Sequence, residues 1–450
     1  MQNTVYSVRR EVSGYIVKNI FASLGISLYV LVDTLFIALA AGSIGLATLN
    51  IVLPIFNLFN SLGLLLGVGG AAIFSLNKVR HPERIEGLYS ELIIFCVGLG
   101  ILFAIIGNLF PHQILTLMGA NQQTINMATT YFRIVSCGAP LFMANYVTIN
   151  FVRNDGNPSL TMRAALTQTA FVIFMDWLLI FGLNLKMEGA ALATIFSPVT
   201  SLTVLSSHRH FAQRQLKLFK TKVHLKTVLK AARLGIPSFL NEMSTGVSIF
   251  VFNLVLLKLG GNYAIAAYGV IANIGIVFLA IFNGVALGVQ PIASREYGKH
   301  LYQNVKIALK IGLVVTFSIA IISYFLLLIF KAPIVDIFNA EHEAQLVAYA
   351  VKGIPIYFIS IFFSCLNLVL MLFLAAINDA RGAFFLSILR GYVILLPSII
   401  IFAYFGGIAG VWASVPFTEF IVASLGIYLT NRKISTMQIR KESLLWKSNV

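Results

Sequence analysis

Acidic side chains are scarce in this chain, with 16 Asp and Glu against 32 Lys and Arg in 450 residues. Charged residues of both signs make up only 11%, where a soluble domain carries roughly a quarter. That deficit excludes an ordinary water-soluble fold. Cysteine is nearly absent. Cys96, Cys137 and Cys365 each stand alone inside an apolar run, with no CxxC or metal-ligand spacing. A disulfide framework and a metal centre are therefore not expected, and the three read as packing residues. No HExxH or GxSxG occurs, and all seven histidines fall in loops or at the ends of apolar runs. An intramembrane enzyme needs a nucleophile with its base, or a metal cluster, so no catalytic residue is assigned and no enzyme is expected. The N-terminus lacks a short apolar core followed by a small-residue cleavage site, so no removed signal peptide is expected.

What the chain has in abundance is apolar sequence. Hydrophobic residues make up 58% and the mean hydropathy is +0.89. They come in runs of about 20 residues, the length a helix needs to cross a bilayer. Closed β-barrels would need shorter, alternating segments. Twelve spans are predicted, at 14–40, 48–75, 88–110, 131–152, 160–183, 187–206, 234–257, 264–292, 306–330, 350–375, 383–404 and 409–430.

The net charge of +16 reads as topology, not as a nucleic-acid surface. Basic residues cluster in alternate connections: Lys78, Arg80 and Arg84; Arg153 and Arg163; the stretch from Arg209 to Arg233; Arg295 to Lys310; Arg381 and Arg390; and the tail after Arg432. By the positive-inside rule these face the cytoplasm, so a multi-pass protein of the cell inner membrane with both termini cytoplasmic is expected. The connector 208–233 holds eight Lys or Arg and no Asp or Glu, a composition suited to the anionic inner leaflet. It divides the chain into a lobe at 1–207 and a lobe at 234–431, followed by a cytoplasmic tail at 432–450. At an offset of 221, Gly63, Leu66, Gly67, Val68 and Ala72 match Gly284, Leu287, Gly288, Val289 and Ala293. The expected fold class is thus an all-α membrane protein of twelve transmembrane helices, in two six-helix lobes related by a pseudo-twofold axis along the membrane normal. Transporters that rock two bundles about a central site use such an arrangement.

Ionisable groups inside spans are costly and mark functional sites by default. Asp33 and Asp176 each lie seven residues before the outer end of a span, and Thr194 lies seven after an outer start. At 1.5 Å per residue all three sit about 10 Å below the outer surface. Three oxygen-bearing side chains at one depth could form a single cation or proton site. Two carboxylates in one dry pocket cannot both stay ionised cheaply, so proton exchange near neutral pH is expected there. Glu242 and Glu419 lie near the middle of their spans with no evident basic partner at their depth. Either could contact substrate or take part in coupling. Of the 36 Phe, 16 Tyr and 10 Met, a few lining a cavity would suit flat or cationic compounds.

The motifs resemble the multidrug and toxic compound extrusion (MATE) family. They are Val32-Asp33-Thr34-Leu35-Phe36-Ile37 in the first span, Arg153-Asn154-Asp155-Gly156-Asn157-Pro158 before the fifth, and Asp176-Trp177-Leu178-Leu179-Ile180-Phe181-Gly182 at its end. Gly189-Ala190-Ala191-Leu192-Ala193-Thr194, Gly235-Ile236-Pro237-Ser238, and Gln290-Pro291-Ile292-Ala293-Ser294 with Tyr297-Gly298 follow in the same order. The resemblance implies a secondary active antiporter that exports small amphipathic, cationic compounds in exchange for H⁺ or Na⁺. It implies a cation site of Asp33, Asp176 and Thr194, and a second-lobe role for Glu242. One departure is Val172, which stands where the family commonly has an Asn one turn before the span-five Asp. A neutral oxygen ligand is missing, which favours H⁺ over Na⁺. No cofactor is expected. Expected partners are a small-molecule substrate and membrane lipids, with no nucleic acid, and the protein is expected to be a monomer. A lipid or lipid-linked sugar flippase of related architecture is the alternative within transport, although basic cavity residues would suit such cargo better than acidic ones.

Overall fold

The computed structural model describes residues 2–77, 87–211, 214–216 and 221–448. The predicted inner-face charges Lys78, Arg80 and Arg84, and positions 212–213 and 217–220 of the connector, lie outside the described residues. Among the described residues the secondary structure is helical throughout, without strands. The α-helices are α1 (Gln2–Asn77), α2 (Leu88–Leu109), α3 (Pro111–Leu117), α4 (Ile125–Cys137), α5 (Ala139–Asn154), α6 (Pro158–Asp176), α7 (Lys186–Ser206), α8 (Leu225–Gly298), α9 (Tyr302–Ile337), α10 (Ala344–Tyr357), α11 (Ile361–Ala376), α12 (Ala380–Ile388) and α13 (Leu395–Ser448). Turns of π-helix follow α6 (Trp177–Gly182) and α12 (Leu389–Val393).

Three of these helices are too long to be single spans. A straight helix the length of α1, 76 residues, would extend about 114 Å, several times the bilayer core. Each is broken at one glycine: Gly42 (φ 61°, ψ −153°), Gly261 (φ 64°, ψ −156°) and Gly407 (φ 54°, ψ −140°). That region of backbone space is open essentially to glycine alone. The breaks fall in the predicted gaps after residues 40, 257 and 404. Eight helices among the described residues are long and apolar enough to cross a membrane, and α4 with α5, bent by 46°, make a ninth segment. Dividing the three broken helices brings the count to the twelve expected.

The chain packs as two units. The first comprises residues 32–266 and 338–343. Its core is built around Phe59, Phe74, Phe132 and Phe151. Small residues let its helices approach closely, as expected where lipid offers no hydrophobic drive: Gly100 lies against the backbone of Ala139 and Pro140, and Gly107 against Ser136. On the other face of α2, Ile94, Ile101, Leu102 and Ile105 are exposed, a lipid-facing stripe. In α1 and α8 the backbones meet directly. A Cβ on Gly69 would overlap the Ala231 carbonyl, and one on Gly235 would overlap that of Leu65. The connector is tied to this unit by Asp155, whose Oδ2 accepts from His208 Nε2 (2.8 Å) and from the N–H groups of Gln215 (2.9 Å) and Leu216 (3.1 Å). The last residues of the predicted connector, from Leu225, are already helical in α8.

The second unit comprises Met1–Leu31, Ala267–Ile337 and Ala344–Val450. Val285, Val289, Leu370 and Phe373 lie in its core. Gly284 and Gly288 receive α1, since a Cβ on them would stand 2.6 Å and 2.7 Å from the Cα atoms of Ile20 and Ile16. Beyond that crossing Arg295 grips Glu11 through both guanidinium nitrogens, at 2.6 and 2.8 Å, and reaches Glu296 at 2.9 Å. The hydrogen bond from Arg295 holds the Glu11 carboxyl below the usual carboxylate range. The tail predicted at 432–450 continues α13 as helix to Ser448.

Two expectations need correction. The repeat is present, but its register is 219 residues, the spacing of Gly42 and Gly261. At the expected offset of 221, Gly63 and Gly67 would be the counterparts of Gly284 and Gly288. Instead Gly63 and Gly67 face α5, at Met143 and Tyr146, whereas Gly284 and Gly288 face α1. A slip of two residues turns a helix by about 200°, so glycines that align by chance end on different faces. Cys137 is exposed, at the bend between α4 and α5, and is not the packing residue expected. Cys96 and Cys365 are buried.

Candidate functional site

Asp33 lies in α1, nine residues before the Gly42 break. Asp176 ends α6, where the helix passes into the π-helical turn at Trp177–Gly182. Such turns recur at functional sites. Both carboxyls come together in the first unit, close enough for each to feel the other's charge. Asp176 is completely buried. Neither of its oxygens, nor Oδ1 of Asp33, meets an N–H or O–H donor among the described residues. Ionised carboxylates only accept hydrogen bonds, so a bond between the two requires a proton on one of them.

Thr194 belongs to the same neighbourhood through a residue the sequence reading missed. Tyr131, buried in α4, lies near both carboxyls and near Thr194. Thr194 Oγ1 donates to the Ala190 carbonyl at 2.9 Å, which leaves its lone pairs able to accept from a nearby hydroxyl such as that of Tyr131. The signal for Tyr131 was in the turn before α4. Asn121 Oδ1 accepts from the Gln123 and Thr124 N–H groups at 3.0 and 3.3 Å, which starts α4 at Ile125 and sets Tyr131 about 9 Å into its helix. That is the predicted depth of the two acids. Val172 is buried one turn before Asp176 and offers no oxygen there.

The two glutamates differ from each other. Glu242, in α8, is half-buried, and no side-chain hydrogen bond or ion pair occurs at it among the described residues. One turn along the same helix face, Gly246 lines a cavity of about 390 Å³. Its wall is almost wholly apolar, carrying Phe59, Phe103, Phe132 and Phe250 with Met118 and Met243. These are the wall aromatics that no sequence pattern had singled out.

Glu419, in the second unit, is not the partnerless acid expected. Its Oε1 accepts from Arg390 Nε at 2.7 Å and Nη2 at 2.6 Å, and its Oε2 accepts from Asn367 Nδ2 at 2.6 Å. Arg390, counted from sequence among the inner-face charges, instead sits in the second π-helical turn and neutralises Glu419. Tyr357 is close enough to feel both charges. No cluster of His, Cys, Asp and Glu suited to a metal ion occurs among the described residues.

The profile of the MatE family matches residues 19–178 and 237–403, most of the chain. The chain belongs to the MatE family. Relatives of this MatE protein include the multidrug export protein MepA of Staphylococcus haemolyticus (strain JCSC1435), 27% identical over 428 residues that span 93% of this chain and 92% of that protein. MepA of Staphylococcus aureus (strain MSSA476) is 26% identical over 394 residues, 86% and 85% of the two chains. Among solved structures, an inward-facing multidrug resistance MATE family transporter of the MOP superfamily superposes with a TM-score of 0.82 at 20% identity, covering 92% of this chain and 95% of that one. An outward-facing structure of such a transporter gives 0.71 at 20% identity, covering 96% and 98%. At these identities the likeness establishes the fold: a multi-pass helical membrane protein.

Proposed function

We propose that this MatE protein is a secondary active antiporter of the cytoplasmic (inner) membrane. It exports small amphipathic, cationic compounds in exchange for protons. The observation that carries the reading is the Asp33–Asp176 pair, two carboxyls held near each other with no hydrogen-bond partner at either Asp176 oxygen or at Asp33 Oδ1 among the described residues. Protons taken up from outside neutralise the pair, its helices repack, and the grip on cargo loosens. Loss of the proton inward restores the charge that draws the next cation. Tyr131 and Thr194 position the pair. Na⁺ wants several oxygen ligands, by analogy with other hard cations, and Val172 supplies none. The relatives named as multidrug export proteins support the export direction and a broad cargo range. The aromatic cavity beside Glu242 suits the flat, apolar part of such cargo, with Glu242 as its counter-charge. The helices form two six-helix lobes, divided by the connector, that rock to expose the site alternately. Arg390 does not turn the reading toward an anionic lipid cargo, because Glu419 already neutralises it.

The test is dye export from proteoliposomes with pH and Na⁺ gradients imposed separately. Export should follow the pH gradient and stop when an ionophore collapses it. Transport sustained by Na⁺ alone, and lost when K⁺ replaces it, would reverse the choice of ion. Val172→Asn should confer a Na⁺ response. For orientation, a cysteine at Arg214 should stay unlabelled by an impermeant maleimide in intact cells and react once the cells are opened. Labelling from outside would overturn the predicted topology.

A further inference from the structure

Within the first unit, the residue after each of the two breaks at Gly42 and Gly261 is gripped by a segment distant in sequence. Ser43 donates its backbone N–H and its hydroxyl to Glu341 Oε2, both at 3.1 Å. Asn262 donates Nδ2–H to Gln123 Oε1 at 2.6 Å and exchanges hydrogen bonds with Asn121 at 2.8 and 3.2 Å. The gripping segments are built alike. Asn121 braces the turn before α4, its Oδ1 accepting from the Gln123 N–H, and Asn339, whose Oδ1 accepts from the Glu343 N–H at 3.0 Å, braces the turn before α10. In both, the gripping side chain stands two residues after that asparagine. The gripped residues are 219 positions apart and the gripping ones 218, so the repeat makes one contact twice. The chemistry differs, carboxylate to serine in one and amide to amide in the other, so the contact is duplicated while the residue types are not. Glycine is required at Gly42 by its backbone (φ 61°, ψ −153°), and the Glu341 carboxyl fills the space beside it that a Cβ would take. Each grip joins a segment before the basic connector to one after it, at the end of the helices predicted to face outside.

We infer that the two contacts form a paired clasp that holds the outer end of the transporter shut, and that each export cycle opens both. The inference rests on the antiport reading above. Glu341 is exposed, and hydrogen bonds reached by water are individually weak, so the clasp both holds and releases without a covalent step. Beneath it Asn253 Nδ2 donates to the Asn50 carbonyl at 2.7 Å, across a buried contact of α8 with α1 that opening would expose.

Reversible cross-linking tests this, in a chain whose Cys96, Cys137 and Cys365 are replaced by alanine. One protein carries Ser43→Cys with Glu341→Cys, the other Gln123→Cys with Asn262→Cys. Both are reconstituted in proteoliposomes and treated with a short bis-methanethiosulfonate. Cross-linking either pair should cut pH-driven dye export at least about tenfold, within the roughly 5–150-fold range of allosteric coupling, with recovery on reduction. Full export by a fully cross-linked protein would overturn the clasp while leaving antiport intact. Absence of any gradient-driven export by the untreated parent would instead overturn the antiport reading. Independently, Glu341→Ala, which removes two hydrogen bonds, or Asn262→Ala, which removes three, should raise impermeant-maleimide labelling of a cysteine at Asn50 by at least about fivefold, since each water-reached hydrogen bond is individually weak. An unchanged rate in both variants would overturn the clasp.

Discussion

Asp33→Asn and Asp176→Asn proteins are expected to reach the membrane in normal amounts and to lose gradient-driven export, by roughly 10–100-fold, the span of a 1–3 kcal/mol coupling. The substitution keeps the shape of the side chain and removes the ionisable group. Each variant still places an amide against the facing carboxyl, which can accept from it. Removing one of two like charges from a buried site relieves repulsion and desolvation, so the melting temperature in detergent should hold or rise. The two readouts therefore move in opposite directions, which separates a coupling role from a structural one. Export against a gradient at the wild-type rate by either variant would remove that carboxyl from the site. Tyr131→Phe serves as the intermediate case, since it removes a hydroxyl beside the pair without touching a charge.

The second large effect is expected in stability. Arg390→Ala leaves Glu419 buried, with Asn367 as its remaining partner. Stranding one partner of a buried ion pair costs about 3–5 kcal/mol, whereas replacing both with apolar groups is often neutral. The single variant should melt well below the parent, with most of the loss recovered in Arg390→Met with Glu419→Leu. Thermal unfolding in detergent, followed as the monodisperse fraction by size exclusion, reads both. A single variant as stable as the parent would mean that the pair is solvated in the membrane-embedded protein. If the double variant folds yet fails to export, Glu419 acts in transport beyond holding its helices together.

The spans were legible because a bilayer allows few solutions: about 20 apolar residues per crossing and glycine wherever the backbone must enter a forbidden region. The acid pair was legible for a related reason, since Asp33 and Asp176 could be compared by depth alone. Depth also explains what was missed. Tyr131 could be placed only once the start of α4 was known, and that start lies in a polar stretch that breaks the apolar run. The Arg390–Glu419 pair joins residues 29 apart across two helices, with a π-helical turn altering the direction of the arginine. No 3.6-residue pattern projects through such a turn. The repeat was visible but misregistered, because glycines in apolar helices align too easily by chance and only their neighbours distinguish the faces.

The backbone contacts of Gly69 with Ala231 and of Gly235 with Leu65 bear on leakage. A pump that spends a proton gradient loses its advantage if protons slip through a loosely closed seam. Side chains meeting across a seam leave gaps that fluctuate with their rotamers and can admit a file of water molecules. Here α1 and α8 meet with no side chain between them at either glycine. At those two points the backbones leave no room for a file of water between them.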